Sequence, residues 1–317
     1  MKSFISFIKK SSKLKTNFLF IFIFLCLLPA RNYYSSLDLS NNNPIVRPAN
    51  HQFLSISDYP VNHTGIKAPY LSAKSVIVID QNSKAILHEK NPDLKLPPAS
   101  ITKIMTALVI LDSYDLNKVV TIKSLNNIGQ VMELEVGEKI TIENLLYGLL
   151  VQSGNDAAYV LANLHQDGEE GFIKAMNIKA KDLNLHDTQF QNSSGLDSYG
   201  HYTTTHDIAI LTVVAMENPI FKKIVNISSI TVTDIDNTIT HDLKTINDLL
   251  GNVSGLKGVK TGWTELAGEC LVTYTQRGNK EIITVILGSQ DRFGESTQLI
   301  DWVFTNHQWL EVFPAIH

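Results

Sequence analysis

Residues 97–111 of the chain read PPASITKIMTALVIL and contain Ser100 and Lys103, three positions apart. The two prolines end an extended approach, and the apolar residues after them predict a buried helix from Ser100 to Leu111. On a helix, side chains at i and i+3 share a face, with Cβ atoms about 5–6 Å apart. A lysine that burial or a second cation keeps neutral can take the proton of such a hydroxyl. The stretch therefore predicts a serine nucleophile with a lysine base, and its position at a helix start brings the serine N–H to where an oxyanion can bind.

Two further short motifs follow along the chain. Ser153-Gly154-Asn155 stands between two predicted helices, and Lys260-Thr261-Gly262 is the only K-T-G triplet in the sequence. Each pattern is weak by itself, since the serine–lysine spacing recurs at Ser254 and Lys257. In this order, however, the three form the motif set of class A β-lactamases and penicillin-binding proteins. Together they predict a serine acyl-enzyme site.

The segments around the motifs predict an α/β fold. The β-branched run 75–80 (SVIVID), a turn and the strand 85–88 predict a hairpin. Hydrophobic spacing predicts helices at 141–150, 156–164, 169–183, 205–216 (capped by Thr205) and 295–305, and strands at 228–233, 269–275 and 281–287. Because strands stand near both ends of the chain with helices between them, we expect one sheet built from both ends and covered by helices.

On these residues the chain resembles the low-molecular-mass penicillin-binding proteins, the serine-type D-alanyl-D-alanine carboxypeptidases of peptidase family S11. The resemblance runs from about residue 68 to 309 and extends beyond the three motifs. It includes LLYGLLVQSGNDAA (145–158), FQNSSGLDSYGHYTTTHDIA (190–209) and GVKTGWTELAGECLVT (258–273). It implies a β-lactamase/transpeptidase-like fold with a mostly antiparallel sheet and a helical subdomain. It also implies peptidoglycan stem peptides ending in D-Ala-D-Ala as substrates and β-lactam antibiotics as inhibitors.

The resemblance also implies roles for the acylating residues. Ser100 attacks the carbonyl between the two terminal D-alanines, and Lys103 is its general base. Ser153 relays a proton to the leaving amine, assisted by Lys260, which keeps the site cationic. Asn155 holds a substrate amide.

Substrate binding is implied on the K-T-G side. Thr261 binds the terminal carboxylate with Arg292, and Gly262 lets the substrate backbone approach closely. The backbone N–H groups of Ser100 and Trp263 form the oxyanion hole. The sequence departs from the family at Trp263, where relatives vary among Tyr, His and Phe. We also expect it to lack the C-terminal β domain and the amphipathic tail that many relatives carry.

The first 67 residues predict a targeting segment and a linker. In residues 1–30, five lysines without an acidic residue precede an unbroken apolar run of 11 residues, 18–28. As a helix this run spans roughly 16 Å, short of the ~30 Å of a bilayer core, which favours a signal peptide. Leu28 and Ala30 make a poor cleavage site, so an uncleaved membrane anchor is the alternative. Either way we expect the protein to be exported. We expect a flexible linker over 31–67 and a catalytic domain over 68–317. The catalytic domain is expected on the outer face of the cytoplasmic membrane, in the periplasm or in the cell wall.

Composition excludes several other classes of protein. The net charge is −4 and no basic run follows residue 15, which argues against a nucleic-acid partner. The only cysteines are Cys26 and Cys270, so no disulfide framework and no cysteine-based metal site is predicted. No two histidines stand four apart, and we expect neither a metal nor another cofactor. Membrane contact is expected through the N-terminal segment only.

Three alternatives stay open at this point. A D-Ala-D-Ala endopeptidase shares the motifs. A class A β-lactamase needs a deacylating glutamate, for which Glu169, Glu170 and Glu217 are the residues between the second and third motifs. A non-catalytic penicillin-binding module is expected to lack the serine or the lysine. We expect His201 and Asp207 to be structural residues and not parts of a serine triad, because no G-x-S-x-G elbow accompanies them.

Overall fold

The structure, a computed structural model that describes residues 58–311, is organised around one antiparallel sheet. Its strands are β1 (Tyr59–Asn62), β2 (Ser75–Asp80), β3 (Ile86–Lys90), β4 (Val119–Thr121), β5 (Lys139–Thr141), β6 (Ser229–Thr233), β7 (Thr240–Lys244), β8 (Leu256–Thr264), β9 (Gly268–Arg277), β10 (Lys280–Ser289) and β11 (His307–Leu310). Five of them form the central sheet in the order β3-β2-β10-β9-β8. Strands from both ends of the chain therefore meet in its middle, as predicted.

The helices fill the middle of the chain. A 3₁₀ turn (Ala99–Thr102) leads into α1 (Lys103–Ser113), followed by α2 (Ile142–Leu150), α3 (Asn155–Ala162), α4 (Gly168–Asp182), α5 (Thr205–Glu217), α6 (Pro219–Val225) and α7 (Arg292–Asn306). The first eight residues of α1 are all buried, as expected for a helix that is apolar on every side. This burial places the start of α1 in the interior of the domain.

The central sheet is covered on both faces, and alternate residues of β2 point to the two sides. Ile77 and Ile79 belong to the larger core with α1 and α5. Val76 and Val78 belong to the smaller core with Leu299 and other apolar residues of α7. Fully burying such a side chain contributes about 1.5–3 kcal/mol. Coverage of both faces explains why SVIVID is a continuous apolar run and not an alternating one.

The structure confirms the predicted α/β fold and corrects several details. β6 does not join the central sheet but pairs with β7 in a separate two-stranded sheet. The helix predicted from Ser100 begins as a 3₁₀ turn. The cap of α5 is Thr204, whose Oγ1 accepts a hydrogen bond from the Asp207 N–H at 3.1 Å, and not Thr205.

The predicted linker, residues 31–67, ends earlier than expected. β1 lies inside it and pairs with β11, with Tyr59 opposite Leu310. The Thr64 hydroxyl also donates to Asn306 Oδ1 at 2.7 Å. These contacts make residues 59–64 part of the folded domain. The predicted targeting segment 1–30 lies outside the described residues, and no helix among residues 58–311 has the length and apolarity needed to cross a membrane.

Candidate active site

Ser100 and Lys103 meet where the 3₁₀ turn becomes α1. Lys103 Nζ lies 3.0 Å from Ser100 Oγ. Ala99, just before the serine, has a left-handed backbone with φ of 48°. For a residue other than glycine this costs about 1–3 kcal/mol, and such strained residues cluster at active sites. The pairing that the sequence predicted is therefore present in hydrogen-bonding geometry.

The Lys103 ammonium position is fully buried and surrounded by acceptors. Its Nζ donates to Asn155 Oδ1 at 2.6 Å and to the carbonyl oxygen of Ser194 at 2.7 Å. Burial, with the neighbouring charge of Lys260, holds the pKa of Lys103 well below its usual range, although Asp156 opposes this shift. Lys103 therefore favours the neutral amine, whose lone pair can accept the Ser100 proton.

Ser153 and Lys260 form a second pair across the site. Ser153 stands in the turn between α2 and α3, with φ of 63°. Lys260 Nζ donates to Ser153 Oγ at 2.8 Å and to the Thr261 carbonyl oxygen at 3.1 Å. Burial, together with the charge of Arg292, lowers the pKa of Lys260 to about 7. At neutral pH this amine can both donate and receive a proton.

The K-T-G motif lies on β8, the edge strand of the sheet, against the nucleophile turn. A Cβ atom built on Gly262 lies 3.0 Å from both the Ala99 Cβ and the Ser100 N. A side chain at this position therefore presses on the turn that carries the nucleophile, which must shift by a few tenths of an ångström to admit it. Thr261 is buried, whereas the Trp263 side chain is 64% exposed.

Arg292, the first residue of α7, also faces this region. Its Nη1 donates to the Gly262 carbonyl oxygen at 2.9 Å, and its backbone N–H donates to Glu269 Oε2 at 2.9 Å. The Nε atom is buried without a hydrogen-bond partner in the described part of the chain. The arginine is thus held at β8 by one N–H of Nη1, and the residue lines the cleft described next.

These residues surround a cleft of about 640 Å³. Seven of the nine predicted site residues line it: Ser100, Ser153, Asn155, Thr261, Gly262, Trp263 and Arg292. The other two, Lys103 and Lys260, are buried and reach the lining serines from below. The structure therefore brings all nine residues to one site.

The sequence motifs did not identify three contributors to the site. The Ser194 carbonyl accepts from Lys103, and Gly195 packs so closely that a Cβ on it lies 1.9 Å from the Ala99 carbonyl oxygen. Asp156 accepts from the backbone N–H groups of Met132 and Leu134 at 3.0–3.2 Å, which fixes a loop beside the cleft. The available signals were the Asn-Ser-Ser-Gly turn at 192–195 and the acidic residue directly after Asn155.

The residues considered for other chemistries do not line the cleft. His201 is buried, its pKa is lowered to about 4 by burial, and it contacts Thr102 rather than a serine nucleophile. Asp207 accepts from the Asp187 N–H and the Thr188 hydroxyl. Neither belongs to a serine triad.

The three glutamates considered for a β-lactamase lie elsewhere as well. Glu170 pairs with Lys174, and Glu217 with Lys84. Glu169 accepts from the Ser193 hydroxyl at 3.3 Å, behind the site. None of the three lines the cleft, so none of them is placed to act as the deacylating glutamate of a class A β-lactamase.

The fold and the site together define a serine hydrolase of the penicillin-binding type, in which a lysine lies beside the nucleophile. The profile of the D-alanyl-D-alanine carboxypeptidase family, peptidase family S11, matches residues 62–291, and the chain belongs to this family.

Individual relatives agree with this assignment. D-alanyl-D-alanine carboxypeptidase DacF of Bacillus subtilis is 33% identical over 249 residues, which cover 74% of this chain and 63% of DacF. A D-alanyl-D-alanine endopeptidase of Pseudomonas aeruginosa is 33% identical over 243 residues, covering 74% of this chain and 78% of the endopeptidase. The crystal structure of the Streptomyces K15 DD-transpeptidase superposes with a TM-score of 0.72 at 32% identity, over 76% of this chain and 100% of that one. The chain thus matches less than two thirds of the length of DacF.

Proposed function

We propose that the chain is a serine-type D-Ala-D-Ala carboxypeptidase that removes the terminal D-alanine of peptidoglycan stem peptides. One observation carries the proposal. A buried lysine whose pKa is held well below its usual range lies 3.0 Å from a serine hydroxyl that opens into a cleft. That arrangement activates a serine as a nucleophile at neutral pH. Family membership supplies the substrate class.

Acylation begins with the neutral Lys103 amine. As Ser100 Oγ attacks the carbonyl carbon between the two D-alanines, its proton passes to Lys103 Nζ. The negative charge that develops on the carbonyl oxygen is stabilised by the backbone N–H groups of Ser100 and Trp263. The packing at Gly262 supports this arrangement, because a Cβ built there would lie only 3.0 Å from the Ser100 N, so strand β8 runs close beside the nucleophile turn.

Departure of D-alanine requires a proton on its amine. Ser153 lines the cleft and is hydrogen-bonded to Lys260, whose pKa is about 7. Ser153 passes its proton to the leaving nitrogen and is reprotonated by Lys260. Water then releases the shortened peptide from Ser100 by the reverse sequence of proton transfers.

The substrate is recognised on the β8 side of the cleft. The edge strand leaves space for an extended peptide, whose amide Asn155 holds from the opposite side. Thr261 and Arg292 bind the free terminal carboxylate, with a positive field from Lys260. A β-lactam offers the same carboxylate beside a reactive carbonyl and acylates Ser100 in the same way.

An endopeptidase that cuts peptide cross-links is the second candidate, favoured by the 33% identical relative of Pseudomonas aeruginosa. It must accept a chain that continues where the carboxypeptidase binds a carboxylate. The position of Arg292 beside Gly262 favours the carboxypeptidase.

The proposed organisation places this chemistry outside the cytoplasmic membrane, where peptidoglycan lies. Residues 1–30 act as a signal peptide or membrane anchor, and a tether connects them to the catalytic domain. The domain begins near residue 58, because β1 is part of the fold. Membrane contact is confined to the N-terminal segment.

Labelled penicillin tests the nucleophile. Mass spectrometry of the wild-type chain after incubation should locate one adduct on Ser100, and Ser100→Ala should abolish it. Ser254→Ala is the matched control, since Ser254 stands in the other serine–lysine spacing of the domain, is exposed and does not line the cleft. Release of D-alanine from a pentapeptide should follow the same pattern. Labelling that survives Ser100→Ala would overturn the assignment.

A further inference from the structure

A turn at residues 192–196 lies behind the lysine of the active site. A neutral lysine amine carries two N–H bonds and one lone pair. Asn155 Oδ1 and the Ser194 carbonyl oxygen can only accept, and they lie 2.6 and 2.7 Å from Lys103 Nζ. When these two acceptors take both N–H bonds, the lone pair is left for Ser100. The Ser194 backbone carbonyl is therefore one of the two acceptors that orient the Lys103 amine.

One side chain holds the carbonyl-bearing turn together. Asn192 Oδ1 accepts from the backbone N–H of Gly195 at 2.7 Å and from that of Ser194 at 3.2 Å. Asn192 Nδ2 donates to the Leu196 carbonyl oxygen at 2.8 Å. The Asn192 amide thus bonds to the backbone on both sides of the Ser194 carbonyl.

The turn is also fixed against the segment that carries the nucleophile. The Thr106 hydroxyl on α1 donates to the Ser193 carbonyl oxygen at 2.6 Å. On the other side, Gly195 packs on the Ala99 carbonyl with no room for a Cβ. Movement of the turn is therefore transmitted to both sides of Lys103.

His201 supports Asn192 from behind. Its Nδ1 lies 3.3 Å from Asn192 Nδ2, which is a donor, so Nδ1 accepts. The proton is then on Nε2, which donates to the Thr102 hydroxyl at 3.1 Å. Burial lowers the pKa of His201 to about 4, so the ring stays neutral at physiological pH.

We propose that Asn192 is a positioning residue for the lysine base: through the turn 192–196 it fixes the Ser194 carbonyl that aims Lys103 Nζ at Ser100. The inference rests on the proposed function, because it takes Lys103 to be the general base.

The charges around Lys103 give the proposal a specific signature. Lys260 lowers the pKa of Lys103 and Asp156 raises it. Glu169 reaches the far side of the turn through the Ser193 hydroxyl, and His201 is neutral. A carboxylate at position 192 keeps both acceptor bonds, which favour its charged form, loses the donor bond to the Leu196 carbonyl oxygen, and adds a negative charge to the turn whose Ser194 carbonyl contacts Lys103. It therefore raises the pKa of Lys103.

The test compares Asn192→Asp with a matched change in the same segment. Asn177→Asp is the control, because Asn177 bonds to both backbone groups of Phe190 and does not reach the turn. Acylation rates with a fluorescent penicillin are measured from pH 5 to 9 and normalised to the titrated fraction of active enzyme. For Asn192→Asp the acid limb should move up by about one pH unit, with a roughly tenfold slower rate on that limb. Asn177→Asp should keep the wild-type profile, whatever its stability.

A second pair of variants keeps the positioning role testable if Asn192→Asp folds poorly. In His201→Asn the amide oxygen takes the place of Nδ1 and keeps the hydrogen bond with Asn192. In His201→Gln the longer side chain keeps only the hydrogen bond with Thr102. His201→Asn should acylate about tenfold faster than His201→Gln. If the two His201 variants acylate at equal rates, the positioning role is overturned. The same holds if the pH profile of Asn192→Asp is not shifted while penicillin still labels the wild type; in both cases the proposed function stands. An unlabelled wild type would instead overturn the proposed function.

Discussion

Replacing Arg292 with alanine should separate recognition of the substrate carboxylate from every other function of the site. One N–H of Arg292 Nη1 is used on the Gly262 carbonyl oxygen, at 2.9 Å. The remaining N–H groups of Nη1 and Nη2 form a planar fork that matches a carboxylate. A charge-assisted hydrogen bond contributes about 1.5–3 kcal/mol. At 1.4 kcal/mol per decade, its loss lowers kcat/KM roughly 10- to 150-fold.

The assay measures release of the C-terminal residue from two pentapeptides, one ending in D-Ala-D-Ala and one with the same terminus amidated. On the free acid Arg292→Ala should show the full loss. On the amide it should show a much smaller one, because no anion is left to bind. The smaller loss has its own cause: without the charge of Arg292 the pKa of Lys260 rises from about 7, which alters the proton relay on both peptides alike.

Arg277→Ala is the matched control for this experiment. Arg277 pairs with Asp301 at 3.1 Å and lies outside the cleft lining, so kcat/KM should stay unchanged on both peptides. Equal losses for Arg292→Ala on the two peptides would refute the carboxylate role and assign the residue to support of β8. A wild type that prefers the amide would favour the endopeptidase.

Three further expectations concern the base, the turn and the N-terminus. Lys103→Arg keeps the charge but cannot give it up, so stopped-flow acylation by penicillin should slow by at least ~100-fold, and a near-native rate would place the base elsewhere. Gly262→Ala should lower kcat roughly 100-fold, on the scale of one lost oxyanion donor, because its Cβ pushes on the Ser100 N; an unchanged kcat would mean that the turn moves aside freely. The full chain should fractionate with membranes if residues 18–28 are retained, and a chain that begins at residue 58, with β1 intact, should not; membrane binding by the shorter chain would reveal a second anchor.

The sequence predicted those parts of the site that depend on particular side chains standing a few residues apart in the chain. Ser100 and Lys103 are one helical turn apart, so their proximity follows from the helix alone. The three motifs were recognisable because each adjoins an element whose pattern was strong, such as the largely apolar α1. For the Ser194 carbonyl the only signal was the Asn-Ser-Ser-Gly turn, because every residue type has a carbonyl and only the folded turn aims this one at Lys103.

The elements that the sequence did not predict depend on partners far along the chain. β1 is four residues long and contains Pro60, which leaves no usable alternation. Its strand conformation depends on β11, about 250 residues later. The pairing of β6 with β7 was missed for a related reason: the apolar pattern of β6 predicts a strand but does not state which sheet it joins.

The meeting of the two chain ends in the central sheet has a consequence for how the protein folds. β2 precedes Ser100 and β10 follows the K-T-G strand, yet they are neighbours, with Ile77 opposite Val285. Contacts between residues so distant in sequence close a very large loop, which slows folding relative to chains held by local contacts. A chain that ends before β10 leaves β2 with one unpaired edge, and β9 keeps only β8 as a neighbour. Acylation by penicillin should therefore appear only in chains synthesised through β10, and a time course of labelling during refolding would measure the formation of this long-range pairing.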